Sequence, residues 1–359
     1  MLVQTYFPRK LSPSRYDQYL ASGWFRGSVM LYKMGMLCLE GDVQSVINIR
    51  LDIRTFSPSK SQRKLLTRAG KRYRTEIRRA RIDNSKEALY QEHKHRFKGF
   101  IHHSLTDYLN SGFASTVFDT YEVCVFDGDE LVAASFFDLG KESMASLLCV
   151  YKDSYARSSL GKYTLLCEIA FAQKRGLKWF YPGYVLQPSR SFDYKLEVGQ
   201  FQYYNANKRW VRLDAQKPSE TAAVAYLERT DDLRQALQAK GLEYKQWLYP
   251  FFTMGYLEYW DVKFLSCPIF LEVSFGRPGR EMLTISYEAD SQMYMLLLVT
   301  PAEEHYHLLN MEVSADFYQQ KDYFMDLIKV SQLILISSDL HEIVDATWRI
   351  ANAAPKDLG

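Results

Sequence analysis

The stretch YEVCVFDGDELVAASFFDLGKESMASLLCVY, Tyr121 to Tyr151, decides the fold. It contains two apolar runs, Tyr121–Phe126 and Leu131–Phe137, on either side of Asp-Gly-Asp at positions 127 to 129. An Asp-Gly turn between two such runs is typical of a β-hairpin. Because Ala145–Tyr151 is a third run of the same kind, the stretch predicts an antiparallel meander of three strands.

A helix and a further strand are predicted downstream of this meander. Apolar residues recur with helical spacing from Leu160 to Lys174, and Gly176 follows where a C-cap glycine is expected. Trp179–Tyr181 then predicts a strand that ends at Pro182-Gly183. This order of elements resembles the core of the acetyltransferase-like fold. We therefore predict an α/β (α+β) protein with an acetyltransferase-like mixed sheet flanked by helices.

Changes in composition divide the chain into three predicted parts. Residues 1–84 form an N-terminal subdomain, in which Ser61–Arg81 is expected to be a helix followed by a looser basic connector. Residues 85–214 form the acetyltransferase-like core. Residues 215–359 form an extra C-terminal α+β domain without an assigned role, with strands around a turn at positions 276 to 279.

Bulk composition predicts a globular protein and excludes several kinds of site. Of the 359 residues, 47% are hydrophobic, which is enough for packed cores. The five cysteines are widely spaced in apolar runs, so we expect reduced, buried thiols and neither disulfides nor a metal site. Charges and prolines near the start argue against a signal peptide, and no segment offers the ~18 apolar residues of a membrane-spanning helix. We expect a cytoplasmic protein with no membrane partner.

The net charge of +3 is unevenly distributed along the chain. The window from Lys60 to Arg81 holds ten basic residues and one acid, so its net charge is +9. Such a run is most often a solvated helix face. At this density a polyanion would relieve self-repulsion, so phosphate contact by part of the run is the competing interpretation.

Several separated motifs occur in a characteristic order between Leu11 and Leu213. They are Leu11-Ser12-Pro13, Gly23-Trp24-Phe25-Arg26, Phe56-Ser57-Pro58-Ser59-Lys60-Ser61-Gln62-Arg63-Lys64, Leu89-Tyr90, Tyr151-Lys152-Asp153, Ser159-Leu160-Gly161-Lys162-Tyr163, Glu168, Gly176-Leu177, Gly183-Tyr184 and Tyr194-Lys195. Together they resemble the arginyl-tRNA-protein transferases, including bacterial leucyl-transferring relatives. Their joint order carries the resemblance, and no single motif does.

The resemblance implies transfer of Arg or Leu from aminoacyl-tRNA to the N-terminal amine of a protein, often one that begins with Asp or Glu. Aminoacyl-tRNA is then a co-substrate, with no cofactor in the reaction, and the setting is an N-degron-like tagging pathway. The family usually has a cysteine cluster after its Gly-Trp element, whereas Tyr32–Arg50 contains only Cys38. We therefore expect no metal or iron–sulfur site there.

Charge pattern and resemblance together assign candidate tRNA and substrate contacts. The tRNA candidates are Lys60, Arg68, Arg72, Arg78 and Arg79, together with Arg157, Gly161 and Lys162 at a strand-to-helix junction. At such a junction, backbone N–H groups and the helix dipole attract anions, although a capped helix start without a ligand is the alternative. The substrate candidates in the basic window are Gln62, Arg63 and Lys64. Arg63 would offer its planar fork to a carboxylate or a phosphate, and Gln62 would pair with an amide or a base edge, unless these side chains occupy an outer helix face.

Five further residues are candidates for the transfer itself. They are the catalytic candidates Glu168, Tyr184 and Lys195 and the substrate-binding candidates Tyr90 and Tyr194. Through the resemblance, Tyr184, Tyr194 and Lys195 would contact the 3′ adenosine or the target terminus; packing tyrosines and a surface lysine are the alternative. Glu168 is either a proton acceptor for the attacking amine or an ordinary salt-bridged acid. Attack of an amine on an ester needs positioning and oxyanion donors, and no covalent enzyme intermediate.

Two other functions fit parts of the sequence. A coenzyme-A-dependent N-acyltransferase would share the fold, but Leu160 and Lys162 stand where its Arg-x-x-Gly-x-Gly loop has glycines. A non-catalytic RNA-binding or protein-binding module would use the aromatic C-terminal part as its surface. The histidine clusters, including His305 and His307, lack Cys or carboxylate partners at metal-binding spacing, so structural roles are expected for them.

Overall fold

The computed structural model describes residues 2–214, 221–257, 262–273, 281–303, 311–315, 317 and 322–353. The predicted turn at 276–279 and the histidines at 305 and 307 lie outside these residues. The first part contains β1 (Val3–Tyr6), α1 (Pro13–Ala21), β2 (Phe25–Gly27), β3 (Met30–Met34), β4 (Met36–Leu39), β5 (Asp42–Asp52), α2 (Lys60–Arg72) and β6 (Arg74–Arg79). The middle contains α3 (Asn84–His93), β7 (Phe100–His102), α4 (Leu105–Asn110), β8 (Thr120–Asp127), β9 (Glu130–Leu139), β10 (Ser143–Tyr151), α5 (Leu160–Lys174), β11 (Trp179–Tyr181), β12 (Tyr184–Gln187), β13 (Gln202–Tyr204) and β14 (Trp210–Arg212). The last part contains α6 (Ala222–Ala239), β15 (Tyr244–Leu248), β16 (Ile269–Val273), β17 (Met282–Glu288), β18 (Met293–Pro301), β19 (Met311–Val313), β20 (Ile328–Ser337) and α7 (Leu340–Asn352).

Ten of these strands form one mixed sheet. Its order is β14-β13-β5-β11-β10-β9-β8-β6, and β4 and β12 also pair with β5. β8, β9 and β10 are antiparallel neighbours, and β10 lies parallel to β11. The predicted meander, helix and following strand are therefore confirmed, and so is the mixed sheet.

Helices cover both faces of this sheet because its strands alternate apolar side chains between the faces. Phe137 packs on one face with Leu65 of α2 and Ile169 of α5. Its neighbour Phe136 points to the opposite face and packs with Leu89 of α3 and Leu105 of α4. The predicted flanking by helices is confirmed.

The segment after α2 is an edge strand, not the looser connector that the sequence predicts. All six residues of β6 pair antiparallel with β8 at one end of the sheet. Ile77 packs toward the core, whereas Arg74, Arg78 and Arg79 are exposed. Charged side chains are common on edge strands, where they discourage pairing with other chains, and here they mask the apolar alternation. Since β5 and β6 share the sheet of the core, the sheet crosses the predicted boundary between residues 84 and 85.

A second, smaller sheet lies in the last part of the chain. Its order is β15-β16-β17-β18-β20, and all neighbours are antiparallel. Its core is shared with the first part of the chain, since Leu2, Met36 and Val43 join the same cluster as Phe270 and Leu296. No helix in the described residues is long and apolar enough to cross a membrane.

Candidate active site

A gap opens in the large sheet beside β10. β10 pairs with β11 only over Ser143–Ala145, and β12 then pairs with β5 instead of continuing along β10. The later part of β10 therefore has no strand partner on this side among the described residues. At the same point Leu147 forms a bulge in the β9–β10 pair, and the Tyr108 hydroxyl donates to its carbonyl oxygen at 3.1 Å. Bulges of this kind are frequent beside active sites, because they redirect the strand.

Lys195 lies at this gap on a 3-10 turn, Asp193–Val198. Its Nζ donates to the carbonyl oxygen of Tyr184 at 3.0 Å and lies 4.9 Å from the ring centroid of Phe192. Burial beside the rings of Phe192 and Tyr184 lowers the pKa of Lys195 to about 8, because an ammonium loses hydration there. A lysine with such a pKa is partly neutral near pH 8 and can exchange protons with a substrate.

Four tyrosines surround the gap: Tyr32 of β3, Tyr108 of α4, Tyr184 of β12, and Tyr194 beside Lys195. Their phenol groups lie near one another, because negative charge on one of them would raise the pKa of a neighbour in the group. Burial raises the pKa of Tyr108 and of Tyr184 to about 12, so both stay protonated at physiological pH. The hydroxyls of Tyr32, Tyr184 and Tyr194 make no hydrogen bond to the described residues, and Tyr194 is 58% exposed. The ring of Tyr194 is therefore open to a ligand, and the half-buried hydroxyls of Tyr32 and Tyr184 have no partner within the described residues.

Glu168 lies beneath the sheet. It is carried by α5, is 1% exposed, and accepts a hydrogen bond from the Ser135 hydroxyl at 2.7 Å. Burial raises the pKa of Glu168 to about 8, although the Ser135 hydroxyl partly opposes the shift. Because the side chain is 1% exposed, the structure places Glu168 in the core beside the sheet, and its role as acceptor of the amine proton stays a prediction.

Tyr90 is a core residue. Its side chain is fully buried, and its hydroxyl donates to the carbonyl oxygen of His102 at 2.8 Å. The ring packs against Phe97, with centroids 5.9 Å apart. The structure therefore places Tyr90 in the core, and its predicted substrate contact stays a prediction.

Gln62, Arg63 and Lys64 do not share one environment. Gln62 is 5% exposed, and its amide nitrogen donates to the carbonyl oxygens of Glu197 at 3.2 Å and Val198 at 2.9 Å. Both ends of its amide are thus engaged within the protein, and its pairing with a substrate amide or a base edge stays a prediction. Arg63 and Lys64 lie on the exposed face of α2, where the Arg63 guanidinium donates to the Pro58 carbonyl oxygen at 2.5 Å.

The basic window divides into paired and unpaired cations. On β6 and at the end of α2, Arg72 pairs with Asp127 at 2.7 Å, Arg78 with Glu122 at 2.8 Å and Arg79 with Asp119 at 3.0 Å. Lys60 and Arg68, on the exposed face of α2, form no ion pair with the described residues. The unpaired positive charge of Lys60 and Arg68 therefore lies on α2, whereas acids offset the cations of β6.

The start of α5 keeps its first N–H groups free of a side-chain cap. The helix begins at Leu160, after Ser159 in the left-handed conformation (φ 56°), with Arg157 exposed and Gly161 in the first turn. Lys162 forms an ion pair with Glu197 on the turn that carries Lys195. Of these three tRNA candidates, Lys162 is thus linked to the gap. Anion binding at this helix start stays a prediction.

Sequence motifs bring together Tyr184, Tyr194 and Lys195, and the structure adds residues that the sequence did not single out. Tyr32 and Tyr108 come from other elements, and Phe192 packs against both Tyr184 and Lys195. A single sequence holds no signal for Tyr32 or Tyr108, because only the tertiary packing of β3 and α4 brings them to the gap. Phe25 lay within a quoted motif, and its ring meets that of Tyr184 at 5.2 Å.

Comparisons with known proteins match the same region. Residues 71–205 match the family model described as "Arginine-tRNA-protein transferase, C terminus". The chain is 26% identical over 206 residues to the aspartate/glutamate leucyltransferase of Vibrio cholerae, covering 56% of this chain and 85% of the relative. It is 27% identical over 189 residues to the aspartate/glutamate leucyltransferase of Campylobacter jejuni, covering 50% and 76%. The resemblance seen in the sequence motifs is confirmed.

Solved structures give weaker likenesses. L-PGS from Bacillus licheniformis is 14% identical, with a TM-score of 0.33, covering 52% of this chain and 55% of that chain. A tandem GNAT protein from the clavulanic acid biosynthesis pathway is 12% identical, with a TM-score of 0.32, covering 61% and 65%. The matches span less than two thirds of either structure.

Proposed function

We propose that this protein is an aminoacyl-tRNA-protein transferase that moves an amino acid onto the N-terminal amine of a protein beginning with Asp or Glu. The match of residues 71–205 and the similarity to enzymes named aspartate/glutamate leucyltransferases support this reaction class. In this role the protein acts in a cytoplasmic N-degron-like tagging pathway.

The observation that carries the proposal is the convergence at one gap of the Lys195 amine with the free hydroxyls of Tyr32, Tyr184 and Tyr194. The exposed ring of Tyr194 offers a stacking face for the 3′ adenine, and phenol hydroxyls can bond its ribose. We assign the oxyanion donors to backbone N–H groups of β10 between Ala145 and Tyr151, where the strand has no partner on this side among the described residues; the Tyr151 N–H itself is bonded to His93 Nδ1 at 3.3 Å.

Lys195 is the proton acceptor in this proposal. The attacking α-amine has a pKa of about 7.7 to 8.0 in solution, so proton transfer to a lysine with a pKa of about 8 is nearly balanced. The amine nitrogen bonds to the ester carbonyl carbon, and Lys195 takes the proton that the nitrogen loses. The bond from that carbon to the 3′ oxygen then breaks, and the oxygen takes the proton from the Lys195 ammonium and leaves as the ribose hydroxyl of tRNA.

Leucine is the donor residue that fits this lining best. Tyr184, Phe192 and Lys195 bring rings and an amine to the gap, and burial is the sole cause of the lowered pKa of Lys195. An arginyl side chain would need an ionised partner there, because burying an unpaired guanidinium is costly. The names of the relatives agree with a leucyl donor and an acidic acceptor.

The exposed face of α2 is the surface that we assign to tRNA phosphates. Lys60, Lys64 and Arg68 project from it and form no ion pair with the described residues. Each phosphate contact releases counterions, so binding should weaken steeply as salt rises.

Mass spectrometry of a short peptide tests the proposal. The peptide begins with Asp and is incubated with the protein and with leucyl-tRNA or arginyl-tRNA in separate reactions. We expect a gain of one leucyl residue at the N-terminus, which fragmentation locates. The same peptide with an acetylated N-terminus is the control and should gain nothing. Absence of any aminoacyl gain with either charged tRNA would refute the proposal.

A further inference from the structure

Gln62 differs from its neighbours on α2. Lys60, Arg63 and Lys64 are exposed, whereas Gln62 is 5% exposed. Both ends of its amide are engaged: the oxygen accepts from the backbone N–H of Ser59 at 2.7 Å, and the nitrogen donates to two carbonyl oxygens. The oxygen completes a capping box with Ser59, while the nitrogen makes bonds that a cap does not require.

Those two extra bonds reach the turn that carries Lys195. They end on the carbonyl oxygens of Glu197 and Val198, at the last residues of the 3-10 turn Asp193–Val198. Within the turn the backbone bonds are local, such as that from the Lys195 N–H to the Phe192 carbonyl oxygen at 3.2 Å. Buried Val198 and the Gln62 amide therefore anchor the end of a short turn that has little stabilisation of its own.

We propose that Gln62 is a positioning residue, which fixes the turn so that Lys195 faces the gap and which ties that turn to the basic helix α2. The assignment rests on the proposed function, because Lys195 is the proton acceptor there. Gln62 therefore connects the helix assigned to tRNA directly to the turn that carries the group assigned to proton transfer.

Glutamate at position 62 tests separately the cap of α2 and the link, meaning the two bonds from Gln62 to the turn. A Glu side chain caps the Ser59 N–H as well as Gln does, since both serve at this position of a capping box. It has no donor when ionised, and its carboxylate would face the carbonyl oxygens of Glu197 and Val198. Gln62→Glu therefore keeps the cap and breaks the link, whereas Ser59→Ala removes the side-chain half of the cap and leaves the link.

Two measurements on the full chain test the proposal. The first is kcat and KM for the Asp peptide together with the Kd for uncharged tRNA, in the wild type, Gln62→Glu, Gln62→Ala and Ser59→Ala. The second is the pH dependence of Lys195 acylation by a small amine-reactive reagent without tRNA, followed by peptide mass spectrometry. Gln62→Ala introduces no buried charge, so it carries the test if Gln62→Glu does not fold.

We expect both Gln62 variants to lose at least about tenfold in kcat, the cost of a misplaced reacting group, while Ser59→Ala stays within about twofold. The Kd for tRNA should stay within about twofold in all variants. The labelling pKa of Lys195 should rise from about 8 toward that of an ordinary lysine in the Gln62 variants alone, as the loosened turn lets water reach the amine.

Three results would overturn the assignment. They are an unchanged kcat and labelling pKa in both Gln62 variants, an equal loss of kcat in Ser59→Ala, and a loss of tRNA affinity that matches the loss of kcat. The labelling needs no transfer activity, so it still decides the role of Gln62 if the wild type transfers nothing. That last outcome would refute the proposed function alone.

Discussion

The Lys195 ammonium and the Tyr184 carbonyl oxygen lie 3.0 Å apart, and this is the one hydrogen bond of the ammonium within the described chain. An ammonium has three donors, so two remain for a ligand. The neighbouring rings of Tyr184 and Phe192 remove water without supplying a counter-charge. The hydrogen bond to Tyr184 therefore holds Lys195 in the gap, and its ammonium can lose a proton near pH 8.

Replacement of Lys195 should abolish most transfer. We expect Lys195→Met to lower kcat/KM by about 10² to 10⁴, the usual contribution of a positioned acid or base. Lys195→Arg should not restore the rate, because a guanidinium does not deprotonate in proteins. Steady-state transfer to the Asp peptide measures both. A near-normal rate in Lys195→Arg would show that charge alone matters.

The rate should rise with pH through about 8. Lys195 must be neutral to accept a proton, and its pKa is lowered to about 8, so the active fraction grows as pH passes that value. The attacking amine titrates in the same range, at about 7.7 to 8.0. We therefore expect the rising part of the pH profile of kcat/KM to report two deprotonations in the wild type and one in Lys195→Met. The same steepness in both proteins would argue against Lys195 as the base.

Charge reversal on α2 should weaken tRNA binding. Lys60→Glu, Lys64→Glu and Arg68→Glu together should lower affinity at low salt and flatten the salt dependence by about one unit for each phosphate that the helix no longer neutralises. Lys174→Glu is the matched control, since it is exposed on α5 at the end away from the gap. Filter binding across a salt series measures both slopes. Parallel slopes in the triple variant and the control would remove tRNA from this face.

Arg78 is unsuited to this charge-reversal test. It pairs at 2.8 Å with Glu122, a fully buried acid that also pairs with Lys86 at 3.1 Å. An acid at position 78 would face Glu122 and threaten folding, because unpaired buried charge is costly. Loss of binding in such a variant would therefore not report on tRNA.

Tyr90→Phe should change stability and leave activity intact. The variant loses the hydrogen bond to the His102 carbonyl oxygen and keeps the buried ring, so we expect a loss of about 1 kcal/mol in the free energy of unfolding. Urea denaturation and peptide transfer, measured side by side, check this. A drop in kcat/KM at unchanged stability would return Tyr90 to the substrate site.

Glu168→Gln should alter the pH dependence of stability. The folded pKa of Glu168 is raised from about 4.5 to about 8, so the folded state holds a proton that the unfolded chain releases across this range. This contribution to stability is complete below about pH 4.5 and is lost as pH rises through about 8. The variant should therefore show a smaller fall in unfolding free energy than the wild type between these values. Identical pH curves from denaturant unfolding would mean that Glu168 is ionised in the folded protein.

The sequence alone determined the centre of the fold. β8, β9 and β10, helix α5 and strand β11 follow from local signals, namely apolar periodicity, an Asp-Gly turn and a C-cap glycine. These signals act over a few residues, so they survive without knowledge of the partners. The ordered motifs likewise indicated Tyr184, Tyr194 and Lys195 together, because the loop that holds them is short.

Only the tertiary structure decided which side chains face a ligand. Gln62 and Arg63 are adjacent in sequence, yet one is buried against Val198, 136 positions away, and the other faces solvent. Tyr90 is matched by a motif and belongs to the core, while Tyr32 and Tyr108 carry no motif and reach the gap. The burial of a side chain, and with it its pKa, depends on strands and helices that pack from distant parts of the chain, and local periodicity does not encode that packing.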